Sequence, residues 1–316
     1  MSGIEKYDLT EEEFENSLKM AELAILMPMR SAEKPKSIFI ISQAGGGKTG
    51  LRRFVESENF QKSPENIFVG IDPDEIAVYH KYYEKIIREY PRESYMQLQK
   101  FVKPALDGYL RQRAVQLRTN LMQEGTFGTT DGYINILEFQ RNGGKASIGK
   151  IKEDGNREQI QVPGGYNVEI DILAVDRFES LLSSYEREQY FIESNLPPRA
   201  VTAENHDRAY FNLLKTTQEI ENRGLYDTMR VFKRGKSETE PELVYVSGGN
   251  QYPSITECVR QVRMSERKRM LERPEAFLQR IENLKQRINT EVQKQKLEQL
   301  EKEVIEELEN MKKTRE

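Results

Sequence analysis

Short apolar runs alternate along this chain with stretches in which apolar residues recur every three or four positions. Ser37-Ile38-Phe39-Ile40-Ile41 is a near-continuous, β-branched run, as suits a strand covered on both faces. Asn66-Ile67-Phe68-Val69-Gly70-Ile71 predicts a second strand, ending at Asp72-Pro73-Asp74. Residues 119–124 predict a third, less hydrophobic one, and V-E-I-D-I-L-A-V at 168–175 alternates as a strand should. Met229-Arg230-Val231-Phe232 and Leu243-Val244-Tyr245-Val246 predict a closing pair of edge strands. Helical spacing fills the gaps. Residues 9–26 predict a helix opened by a Thr10/Glu13 capping box, with Phe14, Leu18, Leu23, Ile25 and Leu26 on its apolar face. A long helical stretch follows Tyr95, passes Pro104 and runs through Leu110, Val115 and Leu117. Another runs from Phe178 to about Glu193. Strands separated by helices imply an α/β fold, a mainly parallel sheet with helices on both faces. Segment 141–165, rich in Gly, Lys and Glu, breaks the rhythm and reads as a polar loop or hairpin excursion.

The pattern changes after Arg260. From Met264 onward Glu, Lys, Arg and Gln dominate, while Leu278, Ile281, Leu284, Ile288 and Val292 keep helical spacing. So do Leu297, Leu300, Val304, Leu308 and Met311, with the stripe displaced between 292 and 297. A division into a domain at 1–260 and a charged amphipathic helical tail at 261–316 follows. The tail is a long helix or a helical hairpin; packing on the body and self-association as a coiled coil both fit the stripe.

Composition narrows the chemistry. The chain has 316 residues, 37% hydrophobic and 32% charged, with a net charge of −4, which gives no general argument for binding nucleic acid or membranes. A single cysteine, Cys258, excludes an intramolecular disulfide and a cysteine-rich zinc site. His80 and His206, the only histidines, cannot build a histidine-rich metal site; His206 fits a place near the site, and more often such a residue lies at the surface or at a helix cap. The chain has no membrane-length apolar stretch and no signal-peptide pattern at its start, so a cytoplasmic protein is expected.

The first apolar run leads into S-Q-A-G-G-G-K-T at 42–49, and Gly50-Leu51-Arg52-Arg53-Phe54-Val55 can continue as a helix. Strand, glycine turn, Lys-Thr and helix is the arrangement of a phosphate-binding loop. Glycines let the backbone of Gln43, Ala44, Gly45, Gly46 and Gly47 turn its N–H groups toward a polyphosphate. The helix N-terminus adds partial positive charge. Lys48 supplies a mobile cation for the terminal phosphates, and the Thr49 hydroxyl is placed for Mg²⁺. Ser42 stands where the usual pattern has its first glycine. Transfer of a phosphoryl group also needs a carboxylate near the acceptor hydroxyl and cations on the moving phosphate. The Asp72-Pro73-Asp74 turn lies at the end of a strand, where open α/β sheets bind ligands; a base and a helix cap both fit it.

The sequence V-G-I-D-P-D-E-I at 69–76, with His80 and Tyr82-Tyr83 after it, resembles the strand-end motif of zeta toxins. Q-E-G-T-F-G-T-T-D at 123–131 is similar to that family's Glu-Gly-Thr turn. V-D-R-F-E-S-L-L-S-S-Y-E-R at 175–187 and P-P-R-A-V-T at 197–202 follow in the family's order and spacing. The resemblance extends from the N-terminal helix to about Tyr245 and excludes the tail. It implies a P-loop kinase that uses ATP or GTP with Mg²⁺ to phosphorylate the 3′-hydroxyl of a UDP-N-acetyl amino sugar, interfering with cell-wall synthesis. It implies Asp74 as base, Lys48 and Thr49 as nucleotide and Mg²⁺ residues, and Arg187 and Arg199 gripping the transferring phosphate. Glu124 and Thr126 take substrate-contacting positions, with Asp72 beside them serving the turn or the Mg²⁺ shell. A small helical antitoxin is the implied partner. Gly128 departs from the family, many of whose members carry a basic residue there. Two other readings stay open: a P-loop kinase for another small hydroxyl metabolite, and a nucleotide-dependent interaction protein that assembles through its coiled coil.

Overall fold

The computed structural model describes residues 3–313 except 66, 92, 153–154, 195, 197, 199 and 236–239. The strands are β1 (Lys36–Ile41), β2 (Val69–Ile71), β3 (Leu121–Gly125), β4 (Gly143–Ile151), β5 (Arg157–Pro163), β6 (Asn167–Leu173), β7 (Thr228–Lys233) and β8 (Glu242–Val246). Among the described residues, six of them form one sheet in the order β2-β3-β1-β6-β7-β8. Every pairing in it is parallel except β7 with β8. The expected pair of edge strands is therefore half right. β8 closes the sheet, but β7 lies inside it, because it also pairs with β6. β4 and β5 form a separate antiparallel hairpin, the excursion expected at 141–165.

The helices are α1 (Glu11–Ile25), α2 (Lys48–Lys62), α3 (Pro73–Ala77), α4 (Tyr83–Glu89), α5 (Ser94–Ala105), α6 (Arg111–Gln116), α7 (Thr130–Asn142), α8 (Arg177–Glu193), α9 (Ala203–Arg223), α10 (Ile255–Glu272), α11 (Glu275–Arg287) and α12 (Glu291–Lys313). Thr10 and Glu13 form the expected capping box at the start of α1. The stretch past Pro104 is α5 and α6 joined by a π-helical turn at Leu106–Leu110. Proline removes one helical N–H and crowds the preceding turn, which accounts for the local widening. The periodicity reading did not find α7 or α9. The many polar residues of α9 obscure its buried stripe of Leu213, Thr216, Thr217 and Ile220.

Alternate residues of β1 serve opposite faces. Phe39 and Ile41 join the core built with α1, α3–α7, α9 and α10, while Ile38 and Ile40 join Leu51 and Val55 of α2. Each such buried aliphatic contributes roughly 1.5–3 kcal/mol over an exposed one. The tail makes a further core. Phe178, Leu181, Leu182 and Tyr185 of α8 pack against Met270, Phe277, Ile281, Leu284, Leu297, Leu300 and Val304. Most of the apolar stripe is thus spent within the chain, although Val292 stays outside at 65% exposure. The displacement of the stripe marks the turn between α11 and α12. The compositional division at 260/261 falls within α10. Cys258 is buried. Among the described residues, no helix is long and apolar enough to cross a membrane.

Candidate nucleotide and acceptor site

A cleft of about 1810 Å³ opens over the carboxyl ends of β1, β2 and β3. Its floor on one side is the glycine loop between β1 and α2. Gly45 and Gly47 have φ of +69° and +101°, and a Cβ on Gly45 would lie 2.0 Å from the Ser180 carbonyl oxygen. Gly46 accommodates Ser42: a Cβ there would lie 2.0 Å from Ser42 Oγ. Ser42 is fully buried and donates to the Leu173 carbonyl at 2.8 Å. The missing first glycine is therefore matched by a glycine opposite it, and the loop keeps its curl.

The loop is tied to the rest of the chain on every side. Gln43 turns its side chain away from the cleft, donating to the Val175 carbonyl at 2.9 Å and to Ser180 Oγ at 3.0 Å. Its Oε1 accepts from Arg263 Nη2 of α10 at 3.0 Å. Arg263 also donates to the Tyr210 carbonyl at 2.8 Å and stacks over the Tyr210 ring at 3.9 Å. Burial pulls the Arg263 pKa down to about 10. Lys48 Nζ donates to the Ser42 and Gln43 carbonyls at 3.0 and 3.3 Å. Arg234, just past β7, donates to the Gly45 and Gly46 carbonyls at 2.5 and 3.3 Å. Arg280 of α11 reaches the same rim and pairs with Glu179 and Glu186 of α8 at 2.7 Å.

Behind the loop lies His206. It is fully buried, with Nε2 2.9 Å from Ser180 Oγ and Nδ1 3.1 Å from Asp207. Of the two places expected for His206, the one near the site holds and the surface or cap position is corrected: α9 starts at Ala203 with Thr202 as its cap, which carries His206 into the interior. Asp207 is held by Arg177, which also pairs with Glu303 of α12 at 2.6 Å.

The opposite wall is acidic. Asp72 caps α3, accepting from the Asp74 N–H at 2.8 Å, and Asp74 in the first turn lines the cleft. Arg52 of α2 gathers Asp72, Glu75 and Glu124 at 3.9, 3.8 and 3.6 Å. Burial pushes the Glu124 carboxyl above the ordinary glutamate value; the Asp72 charge adds to this, and the Lys48 and Arg52 cations oppose it. Thr126 lines the cleft, its N–H donating to Tyr133 Oη at 3.1 Å. Phe127, fully buried, holds φ at +52° as the Glu-Gly-Thr turn closes.

Of the residues expected from sequence, Ala44, Gly45, Gly47, Lys48, Thr49, Asp72, Asp74, Glu124, Thr126 and Arg187 line this one cleft. Gln43 lies behind the loop and Gly46 faces Ser42. Arg199 lies outside the described residues. The sequence reading missed Arg234, Arg263 and Arg280. Arg234 had a usable signal, since it follows a strand at its carboxyl end. Arg263 and Arg280 had none, because only tertiary packing brings the tail to the loop.

The sequence matches the family described as Zeta toxin over residues 22–149 and 152–240. It is 26% identical over 236 residues to Toxin PezT of Streptococcus pneumoniae serotype 4, covering 74% of this chain and 82% of that protein. It is 24% identical over 228 residues to Toxin zeta of Streptococcus pyogenes, covering 72% of this chain and 70% of that protein. A solved structure from the PezAT chromosomal toxin–antitoxin system of Streptococcus pneumoniae shares the fold. The TM-score is 0.60 at 21% identity, covering 95% of this chain and 98% of that one.

Proposed function

The chain belongs to the zeta toxin family, and from that premise we propose that it is a P-loop kinase that phosphorylates a UDP-activated amino sugar. The donor is ATP or GTP, and the acceptor is the 3′-hydroxyl of the sugar of UDP-N-acetylglucosamine or a close relative. The product interferes with cell-wall synthesis. One observation carries the reading: Lys48 and Thr49 share a cleft with Asp74 and Arg187. On this reading a cation for the donor phosphates and a carboxylate for the acceptor line one cleft.

Lys48 neutralises the terminal phosphates as the phosphoryl group moves. Asp74 accepts the hydroxyl proton and needs only hydrogen-bond reach to do so, since in a loose transition state that proton leaves late. Arg187 offers a planar fork suited to phosphate oxygens, and Arg199 is assigned the same task by family position. Mg²⁺ fits this donor set. Magnesium sites use one or two protein oxygens plus phosphates, and Thr49 with Asp72 supplies that number. The ion would neutralise charge on the donor phosphates. The protein would act in the cytoplasm, where both nucleotides are available, and a small helical antitoxin would hold it inactive.

The test is transfer from γ-labelled ATP or GTP to a panel of acceptors, with growth followed after expression in a peptidoglycan-making bacterium. Labelled UDP-N-acetylglucosamine and growth arrest are expected. Label on a non-nucleotide hydroxyl compound, with unimpaired growth, would replace this acceptor with another small metabolite. Nucleotide-dependent self-association without transfer to any acceptor would favour a binding protein instead.

A further inference from the structure

Behind the glycine loop stands a positive charge with no negative one paired to it. Arg263 of α10 is 3% exposed. An arginine carries five N–H donors, and a buried one normally meets a carboxylate. Here Nη2 donates to Gln43 Oε1 at 3.0 Å and Nη1 to the Tyr210 carbonyl at 2.8 Å, both neutral oxygens. Nε is buried without a hydrogen-bond partner among the described residues. The guanidinium lies over the Tyr210 ring at 3.9 Å. The ring face attracts the cation and cancels none of its charge. The carboxylates nearby are held by other groups. Arg267 takes Asp176 at 2.5 Å, with the N–H groups of Phe178 and Glu179, and Arg177 takes Asp207 at 2.7 Å. Asp176 acts on Arg263 only from a distance. Burying an unpaired charge costs folding free energy, so its retention calls for a use.

We propose that Arg263 is a positioning residue of the donor site: it fixes Gln43 from behind, and its uncancelled charge favours the most highly charged end of a nucleotide on the loop. This rests on the nucleotide reading above and brings the tail into that site, since Arg263 lies beyond residue 240, where the match to the family ends. Gln43 is the link. Its side chain accepts from Arg263, and its backbone carbonyl accepts from Lys48 Nζ at 3.3 Å, so one residue holds both cations. A glutamine side chain with a hydrogen bond at each end spans on the order of 10 Å. At an effective dielectric of about 20, unit charges that far apart still change an affinity roughly 10-fold. An anion on the loop supplies the counter-charge that the fold leaves out. Arginine suits the place because it keeps its proton when desolvated. Burial brings it down to about 10, still well above neutral, whereas a buried lysine can fall below neutral and lose its charge.

The experiment is calorimetric titration with Mg²⁺ present, ATP and GTP each being compared with its γ-fluoro analogue. The analogue keeps the shape of the triphosphate and carries one negative charge fewer. The native protein is expected to bind the nucleotide several-fold more tightly than the analogue. Arg263→Gln keeps an N–H for Gln43 Oε1 and removes the charge, so its margin for nucleotide over analogue should narrow roughly 3- to 10-fold. Arg263→Met replaces a buried charge by an apolar side chain of similar length, a change that folded chains often tolerate. It should show the same narrowed margin, with a further equal loss for both ligands from the missing hydrogen bond. A residue that only shapes the loop would lower both affinities alike and leave the margin native. A native margin in either variant overturns the proposal and leaves the cleft a nucleotide site. So does equal binding of nucleotide and analogue by the native protein. Native protein that binds none of the four ligands refutes the donor reading and this proposal with it. A margin narrowed in the variants, in a protein that transfers phosphate to no acceptor, keeps Arg263 in its role and refutes the kinase reading.

Discussion

The two halves of the cleft are built on opposite principles. On the proposed donor side most polar groups around the loop are engaged before any ligand arrives, Arg263 Nε being an exception among the described residues. Ser42 bonds the Leu173 carbonyl, the Gln43 side chain bonds Val175, Ser180 and Arg263 as well as Ser42, and Arg234 takes the Gly45 and Gly46 carbonyls. On the acceptor side, burial pushes the Glu124 carboxyl up, and the Gln140 amide has no partner among the described residues. Phe127 is held at positive φ there, and a π-helical turn forms part of the wall. The donor half is preorganised, and its supports come from as far away as α10 and α12. The acceptor half keeps polar groups in an energetically poor setting that a ligand would improve. Damage to the first half should therefore weaken every nucleotide-dependent property, and damage to the second should change which acceptor is used.

The largest effect is expected from Lys48→Ala. On the proposed reading the lysine supplies a full charge to the donor phosphates, so nucleotide affinity should fall and transfer should drop below detection. Calorimetry with ATP and GTP checks the first, and labelled transfer checks the second. Equal nucleotide affinity in variant and native protein would break the assignment of this half as the donor side. Asp74→Asn should behave differently, keeping both ligands bound while turnover falls roughly 10²–10⁴-fold. Single-turnover transfer with Asp72→Asn alongside sharpens the contrast. Asp72 caps α3 through the Asp74 N–H, so its amide variant should raise the Mg²⁺ requirement or loosen the turn and still react. A dead Asp72→Asn beside a near-normal Asp74→Asn would exchange the two roles.

The same division governs what was legible in the sequence. The donor loop is local: strand, glycines, Lys48, Thr49 and helix lie within a few residues, and backbone geometry alone demands that order. The expected strands are all present, because β-branched runs in a covered parallel sheet leave a strong trace. The acceptor lobe is assembled from α5, the π-helical turn, α6, α7 and the β4–β5 hairpin. Gln140 looks like any glutamine in a polar helix until α7 is packed. The tail's contacts with the body were hidden for a related reason: Arg263 and Arg267, on the far side of the compositional boundary, reach Gln43 at 3.0 Å and Asp176 at 2.5 Å. Long arginines on a charged helix give no sign of which of them is buried.

Intermediate effects are expected where the tail meets the loop. Arg263→Met removes the charged partner of Gln43 Oε1 and leaves that buried oxygen only the longer contact from Ser42 Oγ at 3.4 Å, a loss that typically costs about 1–3 kcal/mol. Nucleotide affinity should weaken several-fold while UDP affinity is retained. Deletion of 264–316 should do more to stability, because it uncovers Phe178, Leu181, Leu182 and Tyr185. Its Tm should fall by many degrees, with nucleotide binding lost before acceptor binding. A truncated chain with native Tm and native nucleotide affinity would show that the donor half needs no support from the tail.

The smallest effect is also the finest test, because each half has one histidine behind it. His206 touches Ser180, which holds Gln43; His80 packs against Phe101 of α5, in the acceptor wall, with their rings 5.8 Å apart. Burial lowers both. His206 is held below its ordinary value, against the pull of Asp207 and with help from Arg177 and Arg263. His80 is lowered to about 4, against the pull of Asp8 and Glu13. A neutral histidine in the fold and a protonated one in the unfolded chain fix the sign. The stabilisation is fully present above the ordinary histidine value of about 6.5 and is lost as pH falls through the folded value. Tm should therefore decline from pH 7 toward pH 5 in the native protein. Protonating His206 also disturbs the Ser180–Gln43 contact, so nucleotide affinity should weaken over that range by a few-fold, and UDP affinity should change less. His206→Gln should flatten the pH dependence of nucleotide binding, whereas His80→Gln should flatten only that of stability. Nucleotide titrations at pH 7 and pH 5 decide it. If His80→Gln flattened the nucleotide profile and His206→Gln did not, the donor loop would be coupled to the acceptor wall instead of to α9.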